Sequence, residues 1–111
     1  AISQDYDPYL HPYIDITAPA GSIVKAALDG TVIVSGWDTE TGSTIIIQQP
    51  GDIITAYKHN DKLLKKIGDK VTAGSPIAVI GNTGELTTGT HLHFELWHKG
   101  QTVNPSRYIN F

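Results

Sequence analysis

The sequence predicts an all-β domain, a compact antiparallel structure of two packed sheets with at most a short helical turn near residues 60–67. Three observations lead there. Turn signals such as Asp29-Gly30, Pro50-Gly51, Gly68 and Gly81 punctuate the chain at roughly the 8–12-residue spacing of short-strand folds. The runs between them are rich in Val, Ile and Thr, which suit a pleated, half-buried surface. Only residues 60–71, "NDKLLKKIGDKV", have helical character, and Gly68 cuts that segment short.

The elements follow in order. Residues 1–10 are polar and aromatic, include Pro8, and predict an irregular lead-in. "IDITAP" is a short strand ended by Pro19. Residues 24–28 and 31–35 are strand-like pieces around Asp29-Gly30, a hairpin signal. Residues 43–49, "STIIIQQ", form a third run, and Ile45 to Ile47 lack alternation, as in a strand buried on both faces. Residues 52–59 follow the turn at Pro50-Gly51. "SPIAVIG" is a further strand, "NTGELTTGT" a loop, "HLHFELWH" a strand, and "QTVNPSRYI" the closing segment.

No repeat or linker divides the chain, so residues 1–111 are expected to form one domain. A chain of this length buries roughly 65% of its unfolded surface, enough for one core. With 40% hydrophobic and 17% charged residues it is not a disordered composition. A net charge of −3 without a basic stripe argues against a nucleic-acid partner. No apolar run reaches the ~20 residues of a membrane span, and the start lacks a secretory leader pattern. There is no cysteine, so a metal site must use His, Asp or Glu, and no thiol nucleophile is available.

The run "THLHFELWH" holds three of the five histidines. On a strand, Leu92, Phe94 and Leu96 point one way and His91, His93, Glu95 and Trp97 the other. The two imidazoles then stand side by side, their Cα atoms roughly 6–7 Å apart. That spacing suits one metal, or a metal ligand beside an acid–base group, and equally two solvated histidines on an edge strand. Strand parity sends His98 to the other face, where a surface role is expected, and leaves Glu95 either supporting a ligand or simply solvated.

Other candidate ligands are few. "HPYID" places His11 four residues before Asp15, and "AYKHN" ends a strand at His59. Alone, the first pair reads as a loop histidine with a turn-capping aspartate. Together with His91 and His93 these groups form a full set for amide hydrolysis. A catalytic zinc needs three protein ligands and one open position, and spare histidines supply a base and oxyanion stabilisation. No HExxH helix is present.

The ordered pattern "HPYIDITAP", "AYKHN" and "GDKVTAGSPIAVIGNTGELTTGTHLHFELW" resembles the lysostaphin-type, or LytM-like, zinc metallo-endopeptidases of bacterial cell walls, from about His11 to Pro105. The resemblance implies one zinc ion per chain held by His11, Asp15 and His93, with His59 and His91 as catalytic histidines that do not bind metal. It implies a peptidoglycan peptide as substrate and a place outside the cytoplasm. Tyr13 stands where the family often has glycine, and Thr90 where it often has proline. Two other readings compete. One is a catalytically inactive family member that binds wall peptides or activates a partner amidase. The other is a carrier domain, because "GDKVTAGSPIAVIG" is similar to a biotinyl or lipoyl hairpin, but no lysine here occupies a modifiable tip.

Overall fold

The protein is described by a computed structural model covering residues 2–4, 14–17, 21–39, 42–81 and 91–104, with the backbone alone described at 2–4, 14–17 and 91. Among the described residues ten strands form in chain order: β1 Ile2–Gln4, β2 Ile14–Thr17, β3 Ile23–Lys25, β4 Gly30–Asp38, β5 Gly42–Gln49, β6 Ile53–Leu63, β7 Lys70–Val71, β8 Pro76–Ile80, β9 His91–His98 and β10 Gln101–Val103. They hydrogen-bond in the order β1-β2-β9-β6-β5-β4-β7, with β10 on β9 and the β3–β8 pair on the far end of β6. The ladders are antiparallel throughout. The two layers expected from sequence are thus one continuous sheet that curls on itself.

One core fills the curl. Val24, Ile77, Ala78 and Ile80 from β3 and β8 meet Val32, Ile45, Ile47, Tyr57, Phe94 and Leu96 from the main sheet. The alternation expected for β9 holds, since Leu92, Phe94 and Leu96 are all buried. The Phe94 ring packs tilted on Tyr57 with centroids 5.2 Å apart. Burying each such side chain contributes roughly 1.5–3 kcal/mol. The Tyr57 hydroxyl accepts from the Ala27 amide at 3.0 Å, which ties the segment after β3 to the central strand.

Three expectations need amendment; the limit of at most a short helical turn near 60–67 holds, since no helix forms there. β6 instead runs to Leu63, because Asn60, Lys62 and Leu63 pair with β8. A helix this short is costly to nucleate, whereas the ladder satisfies each backbone group at once. Asp29-Gly30 does not close a hairpin between neighbouring strands. β3 pairs with β8 and β4 with β5 and β7, and the Asp29 carboxylate accepts from the Ala73 amide at 2.6 Å. Glycine is required at 30 by close approach, since a Cβ there would lie 2.5 Å from the Gln48 carbonyl oxygen. Within the lead-in, Ile2–Gln4 is a strand on β2. Finally, the β5 isoleucines do alternate: Ile45 and Ile47 are fully buried and Ile46 only partly.

Candidate active site

The outer face of the sheet can be read row by row, because directly opposed residues of an antiparallel pair share a face with Cβ atoms about 4.5–5.5 Å apart. On β9, His93 opposes Asp15 of β2 on one side and Lys58 of β6 on the other. His91 opposes Thr17. The next row along β9 is Glu95, Ala56, Ile46 and Val34, and the one after that begins with Trp97 and Ile54.

His59 reaches this face through an irregularity. Parity along β6 would put it on the Tyr57 side, in the core. Between Ile45↔Tyr57 and Ser43↔Asn60, however, β6 spends two residues, Lys58 and His59, against Thr44 alone. The extra residue is a β-bulge, which re-aims side chains locally. His59 sits at φ 66, in the left-handed region that non-glycine residues adopt sparingly. Its ring ends edge-on to His93, with centroids 5.5 Å apart and planes at 81°. Although almost fully buried, at 4% exposure, it therefore belongs with the outer row and not with the core.

Asn60 fastens the bulge. Its Nδ2 donates to the Tyr57 carbonyl at 3.0 Å and to the Ser43 carbonyl at 3.1 Å, bridging the two strands across the distorted step. Asn60→Ala leaves the buried Tyr57 carbonyl without that donor, a loss of about 1–3 kcal/mol. The expected result is a lower Tm and loss of the His59–His93 ring contact, read from the imidazole resonances. Unchanged Tm and imidazole resonances would show that the bulge holds without it.

Glu95 organises the opposite side of His93. Its Oε2 meets His93 Nε2 at 2.8 Å and accepts from Lys58 Nζ at 3.0 Å, while Oε1 accepts from Trp97 Nε1 at 3.0 Å. Burial pushes this carboxyl up. The hydrogen bonds from His93 and Trp97, then the charge and hydrogen bond of Lys58, outweigh it and hold the group at about 2. In a metal-free chain Glu95 thus contributes stability that is present above its ordinary value of 4.5 and is lost as pH falls toward 2. The Tm gap between the wild type and Glu95→Gln is expected to narrow over that window, and a gap independent of pH would refute it.

With Nε2 committed to Glu95, a metal at His93 would be met through Nδ1, and the carboxylate would fix the ring as second-sphere carboxylates fix metal-binding histidines. Glu95→Gln is expected to weaken zinc affinity by about 10–100-fold, measured by competition with a chromophoric chelator. The backbones of Asp15 and His93 are directly opposed across β2 and β9. Among the described residues no group of three His, Asp or Glu side chains could hold a metal. His11 lies outside the described residues, as do Tyr13 and Thr90, and of Asp15 and His91 only the backbone is described. Lys58 and Asn60 both lie within "AYKHN", but the sequence singles out only His59 there. Strand parity was the available signal for Lys58.

The profile of peptidase family M23 matches residues 9–105. The murein hydrolase activator NlpD of Escherichia coli K12 is 42% identical over 97 residues, 86% of this chain and 25% of that protein. The chain spans about a quarter of the length of several curated relatives that it matches. A zinc-containing peptidase from Vibrio cholerae superposes with a TM-score of 0.89 at 33% identity, covering 94% of this chain and 35% of that one. The catalytic domain of lysostaphin from Staphylococcus simulans superposes with a TM-score of 0.87 at 28% identity, covering 97% and 90%.

Proposed function

This chain belongs to peptidase family M23, a family of peptidoglycan hydrolases, and on that premise we propose that it is a zinc-dependent endopeptidase cutting peptide bonds in the stem peptides or crosslinks of peptidoglycan. The observation that carries the reading is the convergence at His93: Asp15 opposite it, Glu95 on its Nε2, and His59 turned onto its ring by the bulge. His11, Asp15 and His93 would hold the ion. When bound, zinc supplies Lewis-acid polarisation and lowers the pKa of water toward ~7.

The chain's own groups manage the proton. An imidazole nitrogen of His59 or His91 accepts it from the attacking water and returns it to the leaving amine. The other imidazole, protonated, donates to the carbonyl oxygen as charge develops there. The burial of His59 keeps bulk water from competing for that proton.

A second reading rests on the 42% identity to a protein named as a murein hydrolase activator: an inactive member that binds wall peptides or activates a partner amidase. Retention of His11, Asp15, His59, His91 and His93 in sequence favours the enzyme. In either reading the chain works outside the cytoplasm, in keeping with relatives named as lipoproteins. Among the described residues no helix is long and apolar enough to cross a membrane. The deciding experiment digests purified peptidoglycan with the zinc-loaded chain and identifies products by mass spectrometry. Chelator-sensitive peptide cleavage supports the enzyme and names the bond. Bound zinc without product from several wall types supports the second reading.

A further inference from the structure

The outer face of an antiparallel sheet is ordinarily polar, yet beyond the His93 row this one is not. Ile33, Ile46, Ile54, Ala56 and Trp97 line a cavity of about 360 Å³, together with Lys58 and Glu95. Ile33 and its neighbour Val34 are 37% and 40% exposed, so the apolar surface is open to a ligand. Ala56 is buried but stands outside the core cluster, as the floor of this cavity. The cavity is continuous with the candidate active site, because Lys58 and Glu95 both line it and meet in the ion pair that also reaches His93.

We infer that this cavity is a specificity pocket for an aliphatic side chain of the peptide substrate, an inference that rests on the peptidase reading for its place beside the scissile bond. Successive rows on β9 are roughly 6–7 Å apart, and an extended peptide advances about 3.3–3.6 Å per residue. A peptide lying along β9 with its scissile bond at His93 therefore brings a side chain into the pocket two or three residues away. Glycine has nothing to place there. The pocket selects peptides bearing alanine or a larger aliphatic residue at that position over polyglycine. A methylene-sized difference in an apolar pocket is worth tenfold or more, up to about 200-fold, in kcat/KM.

The test uses the zinc-loaded chain and same-length synthetic peptides that carry Gly, Ala or Leu singly at each position around the scissile bond. Cleavage is followed by mass spectrometry, and binding by the indole N–H resonance of Trp97, assigned against Trp37→Phe. The expected result is a preference of about tenfold or more for Ala or Leu over Gly at one position two or three residues from the bond, with the Trp97 resonance moving on binding. Ile46→Thr, which keeps the β-branch, should erase that preference while Tm and zinc content hold. Ile54→Thr serves if Ile46→Thr does not fold. Cleavage without side-chain preference, or with a silent Trp97, overturns the pocket and leaves the peptidase reading standing. Leucyl peptides that move Trp97 without being cut, and cease to do so in Ile46→Thr, support the pocket and remove the peptidase reading. Neither binding nor cleavage overturns both.

Discussion

On the proposed peptidase reading, His93→Ala is expected to lose bound zinc and peptide cleavage together. The substitution removes the candidate ligand and, with it, the ring that Glu95 holds through Nε2. Removing a supporting partner of a ligand already costs about 10–100-fold in metal affinity, so removing the ligand itself should cost more. Activity should fall further than the roughly 10²–10⁴-fold that loss of one acid–base group costs. The fold should survive, because Leu92, Phe94 and Leu96 anchor β9 from its other face. Metal analysis by mass spectrometry beside a cleavage assay reads both effects. Zinc retained at the wild-type stoichiometry would remove His93 from the ligand set.

His59→Ala and His91→Ala are expected to do the opposite with respect to metal, retaining zinc while kcat falls about 10²–10⁴-fold. The two should differ in stability. His59 is nearly buried against His93, so its truncation opens a gap and lowers Tm. The pH profile of kcat/KM separates the roles further, since the limb belonging to the missing group should disappear. Loss of zinc in either variant would collapse the division between ligands and proton-handling groups.

The candidate site was legible to the extent that it lies on regular strands. Alternation along "HLHFELWH" was enough to assign Leu92, Phe94 and Leu96 to the core and His93, Glu95 and Trp97 to the outer face, because side-chain direction on a strand depends only on counting by two. Counting fails at His59. A bulge inserts one residue, so parity predicts the wrong face, and the cause lies in pairing with β5 and in the Asn60 bridge, neither of which is local. The same limit explains Asp29-Gly30. Its residues carry a hairpin signal, but β3 and β4 do not pair, because β3 takes its partner from β8, some 50 residues away.

From sequence alone came the fold class, an antiparallel all-β architecture, and a set of candidate ligands limited to His and carboxylate, because composition, turn residues and period-two patterning are local properties. Tertiary structure alone decided the register that sets Asp15 and Lys58 on either side of His93, the bulge that turns His59 outward, and the bonds from Glu95 to His93, Lys58 and Trp97. It also decided that residues 60–63 extend a strand. Apart from the bonds of Glu95 to His93 and Trp97, two residues away on β9, these join residues distant in the chain. Their geometry is set by which strands pair, and no property of a single segment carries that information.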